Sequence, residues 1–200
     1  MDDQKRQLAL DLHEIGAVKF GTFTYNSGGT GPMYVDLRLL ISYPKVLKKI
    51  AKLYAKQLES LEYDRLGGVA YGALPIAGAV SLEIEKPWIF MRKEGVKKDH
   101  GLKKALEGEY NAGETIVMIE DLAMKATALL QVIPKIEAEG LKVKEAVVLL
   151  DYQKGARENM EAAGYKLHNF ITIHELLDIL KNEGKIDAAK RQECVDFLAS

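Results

Sequence analysis

The feature that most constrains the fold is an alternation of short apolar runs and helical runs from about residue 65 onwards. "RLGGVAYG" precedes "LPIAGAVSLEIE", "EAVVLLDY" precedes "GARENMEAAG", and "TIVMIED" precedes a helix that we expect to end near Glu139, with Gly140 as its stop. Short buried strands that alternate with helices are typical of a parallel, doubly wound sheet. Ligands of such sheets bind beyond the carboxyl ends of the strands, so the residues after each strand are the first candidates for a site.

The two ends of the chain follow other patterns. Residues 2–17 have the spacing of an amphipathic helix, and "KFGTFTYNSGGTGPMYVDLR" predicts two antiparallel strands around a flexible turn. Residues 44–61 predict a helix with Pro44 in its first turn. The C-terminal "KIDAAKRQECVDFLAS" predicts a packing helix.

Composition excludes several classes of function. The chain has 200 residues, 48% of them hydrophobic, and a net charge of -1, which suits one α/β domain and argues against a nucleic-acid binder. One cysteine, Cys194, allows neither a disulfide framework nor a cysteine metal cluster. We find no signal-peptide pattern at the start and no apolar run near the roughly 18 residues that span a membrane. We therefore expect a cytoplasmic protein without a membrane partner.

Two of the segments that follow strands suggest anion binding. "GVAYGALPIAG" (68–78) is a small-residue turn that opens a helix, where free amides can hold an anion, although close helix–strand packing explains it equally well. "MRKEGVKKDHGLKK" (91–104) is rich in lysine and contains Gly95 and Gly101. Such a charge run is either a solvated face or a mobile loop that closes on a polyanion.

The other two segments place acids at the crevice. Glu120 and Asp121 end an apolar strand, where they either begin a turn or hold sugar hydroxyls near a magnesium-bound polyphosphate. Asp151 and Tyr152 follow the next strand, at the expected floor of the crevice.

These segments together resemble orotate phosphoribosyltransferases over nearly the whole chain, especially the transferase half of bifunctional UMP synthases. The resemblance is carried by "KFGTF…SGGTGPMYVDLRLLISYP", "GVAYGALPIA", "RKEGVKKDHG", "EGEYNAGETIVMIED", "GLKVKEAVVLLD" and "GYKLHNFITI". Because the chain ends where that transferase half would end, we expect no decarboxylase domain.

The resemblance implies a type I phosphoribosyltransferase fold, with a central parallel sheet flanked by helices and a small N-terminal hood. It implies a single domain with the hood at about 1–40, a core at about 41–185 and a C-terminal helix at 186–200. It further implies a homodimer in which loop 93–104 reaches the neighbouring site. The implied reaction converts orotate and phosphoribosyl pyrophosphate (PRPP), with Mg²⁺, to orotidine monophosphate and pyrophosphate.

Residue roles follow from the same resemblance. It implies a catalytic set of Lys98, His100 and Asp121, without metal-ligating residues dedicated to the task. It also implies contacts to PRPP from Arg92, Lys93, Lys98, His100, Glu120, Asp121, Lys125 and Thr127, and contacts to the base from Asn26 and Tyr152.

The sequence departs from the family pattern at three places. The loop after the acidic pair, normally Thr-Thr/Ser/Ala-Gly, reads Met124-Lys125-Ala126, and Asn26 and Tyr152 stand where the pattern has a lysine and an arginine. Methionine donates no hydroxyl hydrogen bond, and alanine disfavours the left-handed backbone that glycine allows. Since "AMKATALLQ" is good helix-forming sequence, we also expect that the helix could begin earlier.

These departures leave three hypotheses open. The chain is an active orotate phosphoribosyltransferase with an unusual site, a catalytically impaired relative that binds a nucleotide or dimerises, or a transferase for another, uncharged base.

Overall fold

The computed structural model describes residues 3–25, 28–92 and 106–199, and its centre is a mostly parallel sheet of six strands flanked by helices. The predicted parallel α/β sheet is thereby confirmed. The predicted antiparallel pair near the N-terminus is also confirmed, as a separate two-stranded ribbon.

The elements follow in chain order. The strands are β1 (Val18–Thr24), β2 (Thr30–Val35), β3 (Arg65–Gly68), β4 (Trp88–Met91), β5 (Leu106–Glu107), β6 (Thr115–Ala123), β7 (Lys142–Asp151) and β8 (Lys166–Thr172). The helices are α1 (Asp3–Glu14), α2 (Pro44–Leu58), α3 (Ala73–Ile84), α4 (Thr127–Ala138), α5 (Ala156–Ala162), α6 (Ile173–Asn182) and α7 (Ala188–Ala199), with a 3-10 helix at Leu37–Ser42.

Local sequence explains several helix ends. Pro44 occupies the first turn of α2, where its missing N–H costs nothing. At the start of α6 the Thr172 hydroxyl accepts from the Glu175 N–H at 3.2 Å, and the Glu175 carboxylate accepts from the Thr172 N–H at 2.8 Å. This capping box satisfies two free donors of the helix. Gly140 follows α4 with φ +82°, a left-handed conformation that suits glycine and confirms the predicted stop.

Strand order places the crevice between β3 and β6. The main sheet has the order β5-β4-β3-β6-β7-β8 and is parallel except for β5, an antiparallel edge strand that the sequence pattern did not predict. The connection through α3 leads from β3 to β4 on one side, whereas α4 leads from β6 to β7 on the other. The strand order therefore reverses between β3 and β6, and such a reversal opens a ligand crevice beyond the carboxyl ends of the two strands.

The buried core fixes the strands that border this crevice. The apolar run of β6 from Ile116 to Ile119 is at most 2% exposed, as expected for a strand covered on both faces. The C-terminal helix α7, which the sequence predicted, packs against β2 and α6 through buried Cys194 and Leu198. This places α7 beside the β1–β2 ribbon, close to the crevice.

Candidate active site

The acidic pair, Glu120 and Asp121, lies near the carboxyl end of strand β6, at the crevice. Glu120 is buried, at 7% exposure, whereas Asp121 is half-buried. The buried Tyr54 hydroxyl donates to the Glu120 backbone carbonyl at 2.6 Å, and the Glu120 carboxyl accepts from the Asp121 N–H at 3.1 Å. The Asp121 Oδ1 in turn accepts from the Leu122 N–H at 2.8 Å. These bonds hold both carboxyl groups in fixed positions.

The two carboxyl groups differ in charge. Burial, reinforced by the neighbouring charge of Asp121 and a hydrogen bond to it, raises the pKa of Glu120 to about 9. The Glu120 carboxyl is thus neutral near pH 7 and can donate a hydrogen bond as well as accept one. The pair therefore offers a sugar hydroxyl both a donor and acceptors.

The turn between β3 and α3 reaches the same point from the neighbouring strand. A Cβ atom at Gly72 would overlap the Asp121 Oδ2, so any side chain there would displace this carboxylate. A Cβ atom at Gly68 would lie 3.1 Å from the Leu74 side chain. Gly68 thus supports the close-packing alternative for this segment, and Gly72 brings the turn against the acidic pair. Anion binding by this turn stays a prediction.

The loop after β6 keeps a left-handed turn despite its sequence. Ala126 precedes α4 with φ +56° and ψ +25°, and the helix begins at Thr127. The expectation that the helix could begin earlier is therefore wrong. The Asn159 side-chain amide donates to the Lys125 carbonyl at 3.0 Å, and this contact with α5 helps to fix the loop. Tertiary contacts and the exit from β6 thus override the helix propensity of the segment.

The left-handed turn opens a cavity of about 370 Å³ at the amino end of α4. No side chain caps this end among the described residues, and the first amides of a helix have no partners within the helix. The cavity is lined by Glu120, Leu122, Ala123, Met124, Lys125, Ala126, Thr127, Ala128, Leu129 and Lys154. The structure therefore brings the predicted contacts Glu120, Lys125 and Thr127 together around one space.

A larger cavity of about 590 Å³ adjoins it, since both are lined by Met124 and Lys154. Its other lining residues come from the β1–β2 ribbon, the end of β7 and helix α7, and they are Phe23, Thr24, Tyr25, Tyr34, Tyr152, Phe197 and Leu198. Burial raises the pKa of the Tyr152 hydroxyl, which is therefore uncharged. Flat aromatic side chains that surround a cavity of this size suit a planar ring.

Three aromatic rings that line this cavity pack against one another. The rings of Tyr25 and Phe197 stack at 5.7 Å and 13°, and those of Tyr25 and Tyr34 lie 6.4 Å apart. Gly31 permits the first contact, because a Cβ atom there would lie 2.7 Å from the Phe197 ring. Helix α7 thus forms part of the cavity wall.

Arg92 directly follows β4 and lines neither of these two cavities. It lines a space of about 260 Å³ with Val69, Ala70, Met91, Ala128, Gln131, Val132 and Lys135. Its guanidinium pairs with the Glu107 carboxylate of β5, so part of its charge is already balanced. Because Ala128 also lines the cavity at α4, this space adjoins that cavity.

Several predicted site residues lie outside the described part of the chain. They are Asn26, Lys93, Lys98 and His100, and their roles stay predictions. Sequence reasoning also missed seven residues of the aromatic cavity: Phe23, Thr24, Tyr25, Tyr34, Lys154, Phe197 and Leu198. Lys154 follows β7 closely, so the strand-end rule could have found it. Nothing local to the C-terminal helix indicates that Phe197 reaches the crevice.

Comparison with known proteins identifies the family. The phosphoribosyl transferase domain family matches residues 40–184. The orotate phosphoribosyltransferase of Pyrococcus abyssi is 36% identical over 87% of this chain and 96% of its own length. This chain belongs to the orotate phosphoribosyltransferase family. The predicted resemblance is therefore confirmed, and the sheet described above is that of a type I phosphoribosyltransferase.

This chain is also similar to UMP synthases, over part of their length. The uridine 5'-monophosphate synthase of Bos taurus is 39% identical over 96% of this chain but only 40% of its own length. The structure of Leishmania donovani UMP synthase superposes with a TM-score of 0.88 and 35% identity over 98% of this chain and 42% of that protein. The chain thus spans about two fifths of these bifunctional relatives.

None of the helices in the described part of the chain is long and apolar enough to cross a membrane. Within the same residues, no three side chains of His, Cys, Asp or Glu are grouped so that they could hold a metal ion.

Proposed function

We propose that this chain catalyses the orotate phosphoribosyltransferase reaction, in which ribose 5-phosphate passes from PRPP to orotate. The bond between ribose C1′ and a pyrophosphate oxygen breaks, and a bond from a ring nitrogen of orotate to C1′ forms as that nitrogen loses its proton. The observation that carries the proposal is the position of the acidic pair. It lies at the sheet's reversal point, beside a cavity of about 370 Å³ at a helix amino end that adjoins an aromatic cavity.

The acidic pair would act on the ribose. The neutral Glu120 carboxyl and the Asp121 carboxylate can hydrogen-bond the sugar hydroxyls. As the C1′–oxygen bond breaks, positive charge develops on the sugar, and the Asp121 carboxylate, which lies against Gly72 of the turn after β3, would face that charge. A preorganised negative group stabilises such a transition state without any rearrangement at the moment of reaction.

The cavity at α4 would hold the 5-phosphate. Free amides at a helix amino end and the positive end of its dipole favour an anion. The Thr127 hydroxyl and the Lys125 ammonium add a donor and a charge at the same cavity. The left-handed Ala126 supports this role, because it keeps the turn that directs the amides into the cavity.

The departing pyrophosphate would meet the cations that the sequence assigns to it. Arg92 lies beside the α4 cavity, and the proposed roles of Lys93, Lys98 and His100 rest on the family pattern. For Arg92 to bind pyrophosphate, its guanidinium must share its charge with Glu107 or exchange that partner.

Magnesium fits this site as an ion that arrives with the substrate. Mg²⁺ prefers one or two carboxylates together with phosphate oxygens and water. Asp121 offers such a carboxylate at the crevice, and the bound ion would neutralise charge on the leaving pyrophosphate. A homodimer in which loop 93–104 reaches the neighbouring site, and a cytoplasmic location, belong to the same proposal.

A second candidate function is that of a catalytically impaired relative that binds a nucleotide or dimerises. The observation in its favour is Met124, which is 46% exposed and lines both cavities where the family pattern has a hydroxyl side chain. Its thioether cannot donate a hydrogen bond to phosphate. The uncharged Tyr152 supports a related alternative, transfer to an uncharged base.

Orotate consumption with PRPP and Mg²⁺ tests these candidates. We would compare the native chain with the triple variant Met124→Thr, Lys125→Ser and Ala126→Gly. An Asp121→Asn variant, purified in the same way, controls for host enzyme.

Turnover by the native chain above this control supports the proposed reaction. Activity of the triple variant alone would show that the loop impairs catalysis. If neither chain consumes orotate but the native chain transfers ribose 5-phosphate to uracil, the uncharged-base alternative is favoured. If neither chain shows turnover with any base, the nucleotide-binding candidate remains.

A further inference from the structure

Lys154 lies where the two main cavities of the crevice meet. Besides Met124, it is the only described residue that lines both the aromatic cavity and the cavity at α4. It follows β7 in a tight turn: the Asp151 carboxylate accepts from the Gln153 N–H at 2.8 Å, and Gln153 and Gly155 have φ values of +53° and +92°. The turn therefore places this lysine at the crevice.

The charge around Lys154 indicates an anionic ligand. The other described side chains that line the aromatic cavity are aromatic, apolar or hydroxyl-bearing, so Lys154 supplies the cavity's one cation among them. No described carboxylate forms an ion pair with its ammonium. The Lys154 side chain is half-buried and lines cavities with largely apolar walls, where a bound oxyanion would give its ammonium a partner.

We propose that Lys154 binds an oxyanion of the substrate at the junction of the two cavities. It thereby supplies positive charge to a cavity in which residue 152 is an uncharged tyrosine. The oxyanion is either the carboxylate of the ring or the phosphate of the sugar, since the two cavities that Lys154 joins suit these two ends of one ligand. The inference rests on the proposed function only in treating both cavities as halves of one nucleotide site.

Three ligands separate the two sources of the oxyanion. Orotidine monophosphate carries both groups, uridine monophosphate lacks the carboxylate, and orotidine lacks the phosphate. Calorimetric titration of each into the native chain and into Lys154→Met measures binding without turnover. Lys144→Met is the matched control, because Lys144 is an exposed lysine near the opposite end of the same strand.

We expect Lys154→Met to weaken orotidine monophosphate binding about tenfold, the usual effect of losing one charge-assisted hydrogen bond. An equal loss for orotidine, with uridine monophosphate unchanged, assigns Lys154 to the carboxylate. An equal loss for uridine monophosphate, with orotidine unchanged, assigns it to the phosphate. In either case the loss should shrink at high salt, and Lys144→Met should bind like the native chain.

A rescue variant adds a readout that a purely structural role would not produce. If the partner is the carboxylate, Tyr152→Arg in the Lys154→Met background should restore selectivity for orotidine monophosphate over uridine monophosphate. Unchanged affinity of Lys154→Met for all three ligands overturns the inference, as does a native chain that binds none of them. Binding by the native chain without turnover refutes only the proposed reaction.

Discussion

The carboxyl group of Glu120 makes the stability of this protein depend on pH in a direction that can be worked out. Its pKa is raised from the ordinary 4.5 to about 9 by burial and by the charge of Asp121. The folded state therefore keeps a proton that the unfolded chain releases. Stability from this group is complete below pH 4.5 and is lost as pH rises towards 9. Replacing Glu120 by glutamine, which resembles the protonated form, removes that dependence.

The size of the effect follows from the same shift. Each unit of pH between the unfolded and folded pKa values changes the free energy of unfolding by about 1.4 kcal/mol. Glu120→Gln should match the native chain in stability near pH 4.5, and its advantage should grow by about 3 kcal/mol between roughly pH 5.5 and pH 8. Glutamine keeps an oxygen that can accept from the Asp121 N–H, so no buried donor loses its partner.

Urea unfolding at both pH values, followed by the fluorescence of the single tryptophan, Trp88, measures this change. Glu59→Gln serves as the control, because Glu59 is an exposed carboxylate at the end of α2. A stability difference between Glu120→Gln and the native chain that is the same at both pH values would refute the reasoning. So would a native chain that gains stability over the variant as pH rises.

Three other substitutions test separate parts of the site. Tyr54→Phe removes the 2.6 Å hydrogen bond to the carbonyl that precedes Asp121 and should lower the free energy of unfolding in urea by about 1–2 kcal/mol; an unchanged value would show that the bond contributes nothing. Gly72→Ala places a Cβ atom against the Asp121 carboxylate and should abolish detectable turnover, whereas Gly78→Ala inside α3, whose Cβ atom would lie 3.8 Å from the Trp88 ring, should be tolerated. Equal activities would contradict the geometry. Phe197→Ala removes the ring that stacks on Tyr25 and should weaken orotidine monophosphate binding about threefold to tenfold, as measured by calorimetry. An unchanged affinity would show that α7 does not contribute to the binding cavity.

Sequence patterns were sufficient for the parts of the fold that depend on local periodicity. The buried strand β6, the proline start of α2 and the glycine stop after α4 all follow from residue type and spacing. The edge strand β5 did not, because a pair of residues, Leu106 and Glu107, carries no period. The turn at Ala126 was also misjudged, since its left-handed backbone is imposed by neighbouring elements against its own propensity.

The residues of the candidate site also fall into those that the sequence could predict and those that it could not. Glu120 and Asp121 could be found because a parallel strand delivers its last residues to the crevice. Phe197 could not, because its place depends on how α7 packs against β2, more than 150 residues away in sequence. Helix periodicity gives the face that is buried but not the partner that covers it.

The loop between β6 and α4 forms a left-handed turn at Ala126 without a glycine there, and the Asn159 amide of α5 donates to the Lys125 carbonyl. The cavity at α4 is therefore shaped by β6, α4 and α5 as well as by the loop residues. The loop sequence can therefore change its donors while the cavity keeps its form. The family resemblance implies cations at positions 26 and 152; this chain has Asn26 and Tyr152 there, and Lys125 and Lys154 line the two adjoining cavities of the crevice. An oxyanion responds to the potential in the cavity, and a flexible ammonium can supply that potential from more than one backbone position. Charge moved in this way would preserve affinity for an anionic substrate while loosening its orientation. The expected signature is tight binding of orotidine monophosphate by the native chain in calorimetry together with a low turnover number, and weak binding combined with fast turnover would contradict it.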